Sequence, residues 1–77
     1  MRVRLVNRGI DGDTMCFKVI AINTGIEYTI SNCLRSEHPM WRVHGIQHYI
    51  GNVEFEDGTI RKACLRLSQK GNHILSI

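Results

Sequence analysis

Residues that tolerate or require positive φ punctuate this chain at short intervals: Gly9 with Asp11-Gly12-Asp13, Asn23-Thr24-Gly25, Gly51-Asn52, Glu56-Asp57-Gly58 and Lys70-Gly71-Asn72. Such spacing predicts a β-meander. The segments between the marks are rich in Val, Ile, Thr, Tyr and Phe, which suit a pleated, half-buried surface. With 77 residues in all, the chain holds one small domain, residues 1–77. A domain of this size uses nearly every apolar position for its core, so a deep, enclosed active site is not expected.

Alternation of apolar and polar residues supports strands in most segments. Val3 and Leu5 alternate with Arg2 and Arg4, and Met15, Phe17, Val19 and Ala21 alternate with Cys16, Lys18, Ile20 and Ile22. Ile26, Tyr28 and Ile30 alternate with Glu27 and Thr29, and Val53 and Phe55 with Glu54 and Glu56. Ile20 and Ile22 give the second strand a partly apolar second face, which predicts a central strand covered on both sides. Gly58 suits the left-handed position of a three-residue hairpin loop. At period two, residues 59–69 place Ala63, Leu65 and Leu67 inward; at period 3.6, Ile60, Ala63, Cys64 and Leu67 share a helical stripe. The strand is favoured, with an α+β or winged-helix domain as the alternative. The stretch from Cys33 to Gln47 contains Pro39 and is expected to be a loop.

The hairpin Val53-Glu54-Phe55-Glu56-Asp57-Gly58-Thr59 resembles turns found in many SH3-like barrels, including chromatin-reader and ribosomal types. The expected fold is mainly β: a small SH3-like or OB-like barrel of five to seven short antiparallel strands.

The net charge is +3, and its distribution says more than its size. Residues 61–77 carry four basic residues and no acidic one, whereas residues 31–60 carry four carboxylates against two arginines. Arg61, Lys62, Arg66 and Lys70 supply the carboxyl-terminal excess, and Arg2, Arg4 and Arg8 are expected along one side of the first strand. If the two ends of the chain lie together, these seven cations form one basic face for the phosphates of DNA or RNA. The competing view is that they only keep edge strands soluble. Trp41 and Tyr49 are the aromatics left for a contact surface, because Phe17, Tyr28 and Phe55 fall at core positions. The alternative function is a small accessory or inhibitory protein that binds a larger protein, by an edge strand or through the 38–49 loop with His38, Met40, Trp41, Arg42 and Tyr49.

Other chemistry finds little support. Cys33, His38, His44 and His48 match no established zinc spacing, and Asp11-Gly12-Asp13-Thr14 begins like a calcium loop but has Ile22 where the closing glutamate belongs. Cys33, Glu37 and His38 are the nearest approach to a nucleophile with its base and orienting carboxylate. Glu54 and Glu56 are expected on a solvated strand face rather than as an acid–base pair. No cofactor and no enzymatic activity are expected. Three widely spaced cysteines without a C-x-x-C pair suggest reduced thiols. The longest aliphatic run, Val19 to Ile22, is far short of the ~20 residues of a membrane span. With no signal-like apolar stretch at the amino terminus, a cytoplasmic protein is expected, possible as a homodimer through spare edge strands.

Overall fold

The computed structural model describes residues 1–36 and 45–77, and these form a closed antiparallel barrel of six strands. In chain order they are β1 (Arg2–Asp11), β2 (Thr14–Ala21), β3 (Glu27–Ser36), β4 (Ile46–Glu54), β5 (Ile60–Ser68) and β6 (His73–Ser76). Each strand pairs with its sequence neighbour, and β6 returns to β1, so every strand has a neighbour on both sides. The ring closes at Arg2↔Ile74 and Val3↔His73, where Leu75 N–H also donates to the Met1 carbonyl at 2.9 Å. Chain ends that are far apart in sequence therefore meet in one sheet. There is no helix among the described residues, and so none long and apolar enough to cross a membrane.

One core fills the barrel. Val3, Phe17, Val19, Ile30, Val53, Ala63, Leu65, Leu67 and Leu75 are buried, joined by Cys33 and Tyr49. The rings of Phe17 and Tyr49 meet with centroids 4.7 Å apart at an interplanar angle of 53°, a tilted contact that aromatic quadrupoles favour. The segment that admitted a helix is strand β5: Ala63, Leu65 and Leu67 are all buried, and the alternative of a helix over 59–69 is excluded. The β4–β5 hairpin has the expected three-residue loop, with Phe55 N–H donating to Thr59 O at 2.8 Å and Gly58 at φ 85°.

Several expectations need correction. β1 runs through Gly9 to a two-residue turn at Gly12-Asp13, with Gly12 at φ 63°. Cys33–Ser36 and Ile46–Gln47 belong to strands rather than to a loop. Ile22 is 54% exposed in the turn after β2, so β2 is not covered on its second face. Gly51, read as a turn residue, lies inside β4. A Cβ there would meet Cys33 Sγ at 2.5 Å and the Ser31 carbonyl oxygen at 2.6 Å. This glycine admits the neighbouring strand, because β3 shifts register between Ser31 and Leu34 with Asn32 at φ 54° and crowds β4 at that point.

Gly51→Ala should therefore overpack the barrel wall and cost about 1–3 kcal/mol, whereas Gly71→Ala, with open space around the added carbon, strains only the backbone. Thermal unfolding of the two variants checks this. A Gly51→Ala protein as stable as the parent would contradict the close approach.

Candidate nucleic-acid interface

In an antiparallel pair, residues directly opposite each other project from the same face. The register therefore assigns each basic side chain to the inside or the outside of the barrel. On β5, Lys62 and Arg66 alternate with buried Ala63, Leu65 and Leu67 and point outward. On β1, Arg2 and Arg4 flank buried Val3 and also point outward. Arg2 pairs with Ile74, Ile74 with Arg66, and Arg66 with His48. One row thus crosses four strands as Arg2, Ile74, Arg66 and His48. With strands about 4.8 Å apart, Arg2 and Arg66 stand roughly 10 Å from each other.

Arg8 does not join this face. The β1–β2 register shifts between Leu5 and Asn7, leaving Val6 without an opposite partner, and a one-residue shift exchanges inside for outside. Beyond it Arg8 pairs with Phe17, which is fully buried, so Arg8, itself exposed at the barrel end, is on the face that continues the core rather than the outer wall. It lines a pocket of about 280 Å³ at one end of the barrel beside Leu5, Gln47, Leu67 and His73. Arg61 departs for a related reason. It pairs with buried Val53 and lies at the opposite barrel end, next to the acidic β4–β5 hairpin. Lys70 sits exposed in the β5–β6 turn. All seven cations are exposed, but only Arg2, Arg4, Lys62 and Arg66 point outward from the barrel wall; Arg2 and Arg66 share a row, while Lys62 stands four residues from Arg66 toward the β4–β5 hairpin.

These four cations have no ion pair among the described residues, where the one salt bridge joins Lys18 Nζ to Glu27 Oε1 at 3.3 Å. Two histidines report on nearby arginines. Burial and then the Arg66 guanidinium hold His48 below the ordinary imidazole value; burial and then Arg8 do the same for His73. His73 Nδ1 accepts the Ser68 N–H at 3.2 Å, a bond that only an unprotonated Nδ1 can make.

Of the residues assigned to protein contacts, Tyr49 is corrected. It is 4% exposed in the core, because β4 extends back to Ile46 and puts it opposite buried Leu65. It is not available for stacking. His38, Met40, Trp41 and Arg42 lie outside the described residues, as do Glu37 and His44. Cys33 and His48 face opposite sides of the barrel wall, so they cannot share a metal. Burial, with Cys16 adding to it, pushes the Cys33 thiol up to about 11, and it stays protonated near neutral pH, a poor nucleophile. No group of three His, Cys, Asp or Glu side chains is placed to hold a metal ion among the described residues. Ile74 was missed as part of the row because only its position opposite both Arg2 and Arg66 brings it there.

The fold defines a class: a small antiparallel β-barrel of SH3-like or OB-like type, built as a simple meander. Comparison with protein-family models, curated proteins and solved structures finds no match to this chain.

Replacing Arg66 with Gln should raise the pKa of His48 toward 6.5 without reaching it, since burial remains, and Arg8→Gln should do the same for His73. Both imidazoles titrate lower in the folded chain than in the unfolded one. Their contribution to stability is thus complete above pH 6.5 and is lost as pH falls through that value toward the folded pKa. NMR titration of the imidazole resonances checks the first statement, and the melting temperature between pH 7 and 5 the second. A His48 titration unmoved by Arg66→Gln would contradict the row.

Proposed function

We propose that this chain is a non-catalytic binding module that engages the phosphate backbone of DNA or RNA through Arg2, Arg4, Lys62 and Arg66. One observation carries the proposal. Arg2 and Arg66, from opposite ends of the chain, occupy one outward row on either side of Ile74, with no carboxylate partner among the described residues. Guanidinium groups bind phosphate oxygens bidentately, and cations not already paired give up little when they do so. The described aromatic residues are elsewhere: Phe17 and Tyr49 fill the core, and Tyr28 and Phe55 pack against it. With no described ring beside the row, the contacts proposed for this face are guanidinium and ammonium groups on the phosphate backbone. A reducing, cytoplasmic setting agrees with three free thiols, one of them packed in the core. The accessory-protein reading loses Tyr49 as a contact, and its remaining residues, His38, Met40, Trp41 and Arg42, fall outside the described residues.

Four cations set a modest salt dependence. Each neutralised phosphate contributes about 0.7 to the slope of log affinity against log salt on single strands and about 0.9 on duplex, so a slope of roughly −3 is expected. Arg2→Gln with Arg66→Gln should reduce the slope by about 1.5 and weaken binding to all sequences alike, whereas Arg8→Gln or Arg61→Gln should change little. Fluorescence anisotropy with mixed-sequence oligonucleotides across a salt series measures both. Absence of binding at low salt, or equal loss in the Arg61→Gln and Arg66→Gln proteins, would rule the function out.

A further inference from the structure

The β2–β3 and β4–β5 hairpins stay paired toward their tips, but they part from each other. The β3–β4 ladder ends at Ile30↔Val53, whereas β3 continues along β2 to Glu27 and β4 continues along β5 to Glu54. Between the parted strands lies a cleft of about 620 Å³. Its floor is apolar. Tyr28 lies opposite buried Val19, and Phe55 is two residues beyond buried Val53; both rings are half-buried and pack against the core. Its rim carries Glu27, Glu54, Glu56 and Asp57, and among the described residues only Glu27 has a cation partner, Lys18. Asp57 Oδ1 accepts the Thr59 N–H at 2.9 Å and pins the turn. The carboxylates do not converge as a metal site requires, so the rim suits positive charge spread along a chain rather than a single ion.

We propose that this cleft docks an extended basic segment of a partner protein, laid along the Glu27–Thr29 stretch of β3. Three features favour that occupant. Over Glu27–Thr29 the strand is paired on its β2 side and not on its β4 side, so its backbone can accept an added strand. Successive side chains of an added strand point to opposite faces, so every second one meets Tyr28 and Phe55 while those between reach the rim. Carboxylates on the rim and ring faces in the floor both attract ammonium and guanidinium groups. The fitting sequence is therefore basic, apolar, basic. Nucleic acid is repelled here, which separates the cleft from the arginine row.

The test is a titration of the full chain with the end-blocked peptide Lys-Val-Lys-Val-Lys and with its counterpart Glu-Val-Glu-Val-Glu, followed by amide NMR shifts and calorimetry. The basic peptide is expected to shift the amides of Tyr28, Thr29, Phe55 and Glu56, and the acidic one to leave them unmoved. Glu54→Gln with Glu56→Gln should weaken the basic peptide about tenfold, the scale of losing two charge-assisted contacts. Glu56 is exposed and Glu54 lies on the outer face, so an unchanged melting temperature verifies that the variant folds. Arg2→Gln with Arg66→Gln should leave peptide affinity as it is, which distinguishes this site from the phosphate face. Equal binding of the two peptides, unchanged affinity in the glutamine variant, shifts centred elsewhere on the barrel, or no binding at millimolar peptide would each overturn the proposal. Concentration-dependent shifts of the same amides without peptide would assign the cleft to a second copy of the chain and overturn it equally.

Discussion

The pairing of β1 with β6 is the contact on which the rest of the molecule depends. It consists of a short ladder, Arg2↔Ile74 and Val3↔His73, reinforced by the Met1 amino group donating to the Leu75 carbonyl at 2.8 Å and by the return bond from Leu75 N–H. Closing the ring seals Val3 and Leu75 into the core and gives every strand two neighbours. It also carries Arg2 to within two strands of Arg66. Without closure the basic residues of the two chain ends would be separate patches.

Local register shifts then decide which cations share the outside. The shift after Leu5 takes Arg8, still exposed, off the face of Arg2 and Arg4 and toward the end of the barrel, and without it Arg8 would have extended their line. The shift at Asn32 lets Cys33 enter the core and requires glycine at position 51 across from it. The parting of β3 and β4 beyond Ile30 and Val53 opens the acidic cleft at one barrel end. Charge is in this way divided between an arginine row on the wall and carboxylates at a rim. The two proposed sites, for a phosphate backbone and for a basic peptide, thus use separate surfaces.

Much of this architecture was legible in the sequence, for reasons that particular residues make plain. Period-two alternation identified Val3, Phe17, Val19, Ile30, Val53, Ala63, Leu65 and Leu67 as inward, because one buried face imposes that pattern whatever the topology. Gly58 announced its hairpin, since only a left-handed residue completes that loop. Gly51 misled, because a glycine needed for close approach looks in sequence like a glycine needed for a turn. That misreading cut β4 short and left Tyr49 as a loop aromatic. Arg8 and Arg61 misled because alternation holds only while the register does and while the strand lies within the barrel wall. The cleft was invisible: its four carboxylates come from two hairpins, and only the parting of the strands joins them with Tyr28 and Phe55.

On the proposed reading, barrel closure joins basic residues from the two ends of the chain into one phosphate-binding face. The most direct measurement is the map of amide shifts in the isotope-labelled protein as an oligonucleotide is added at low salt. Shifts are expected to concentrate on Arg2, Arg4, Lys62, Arg66 and the intervening Ile74, with Arg8, Arg61 and the cleft residues Tyr28 and Phe55 left still. Shifts centred on Arg61 or Arg8, or shifts at one chain end without the other, would contradict it.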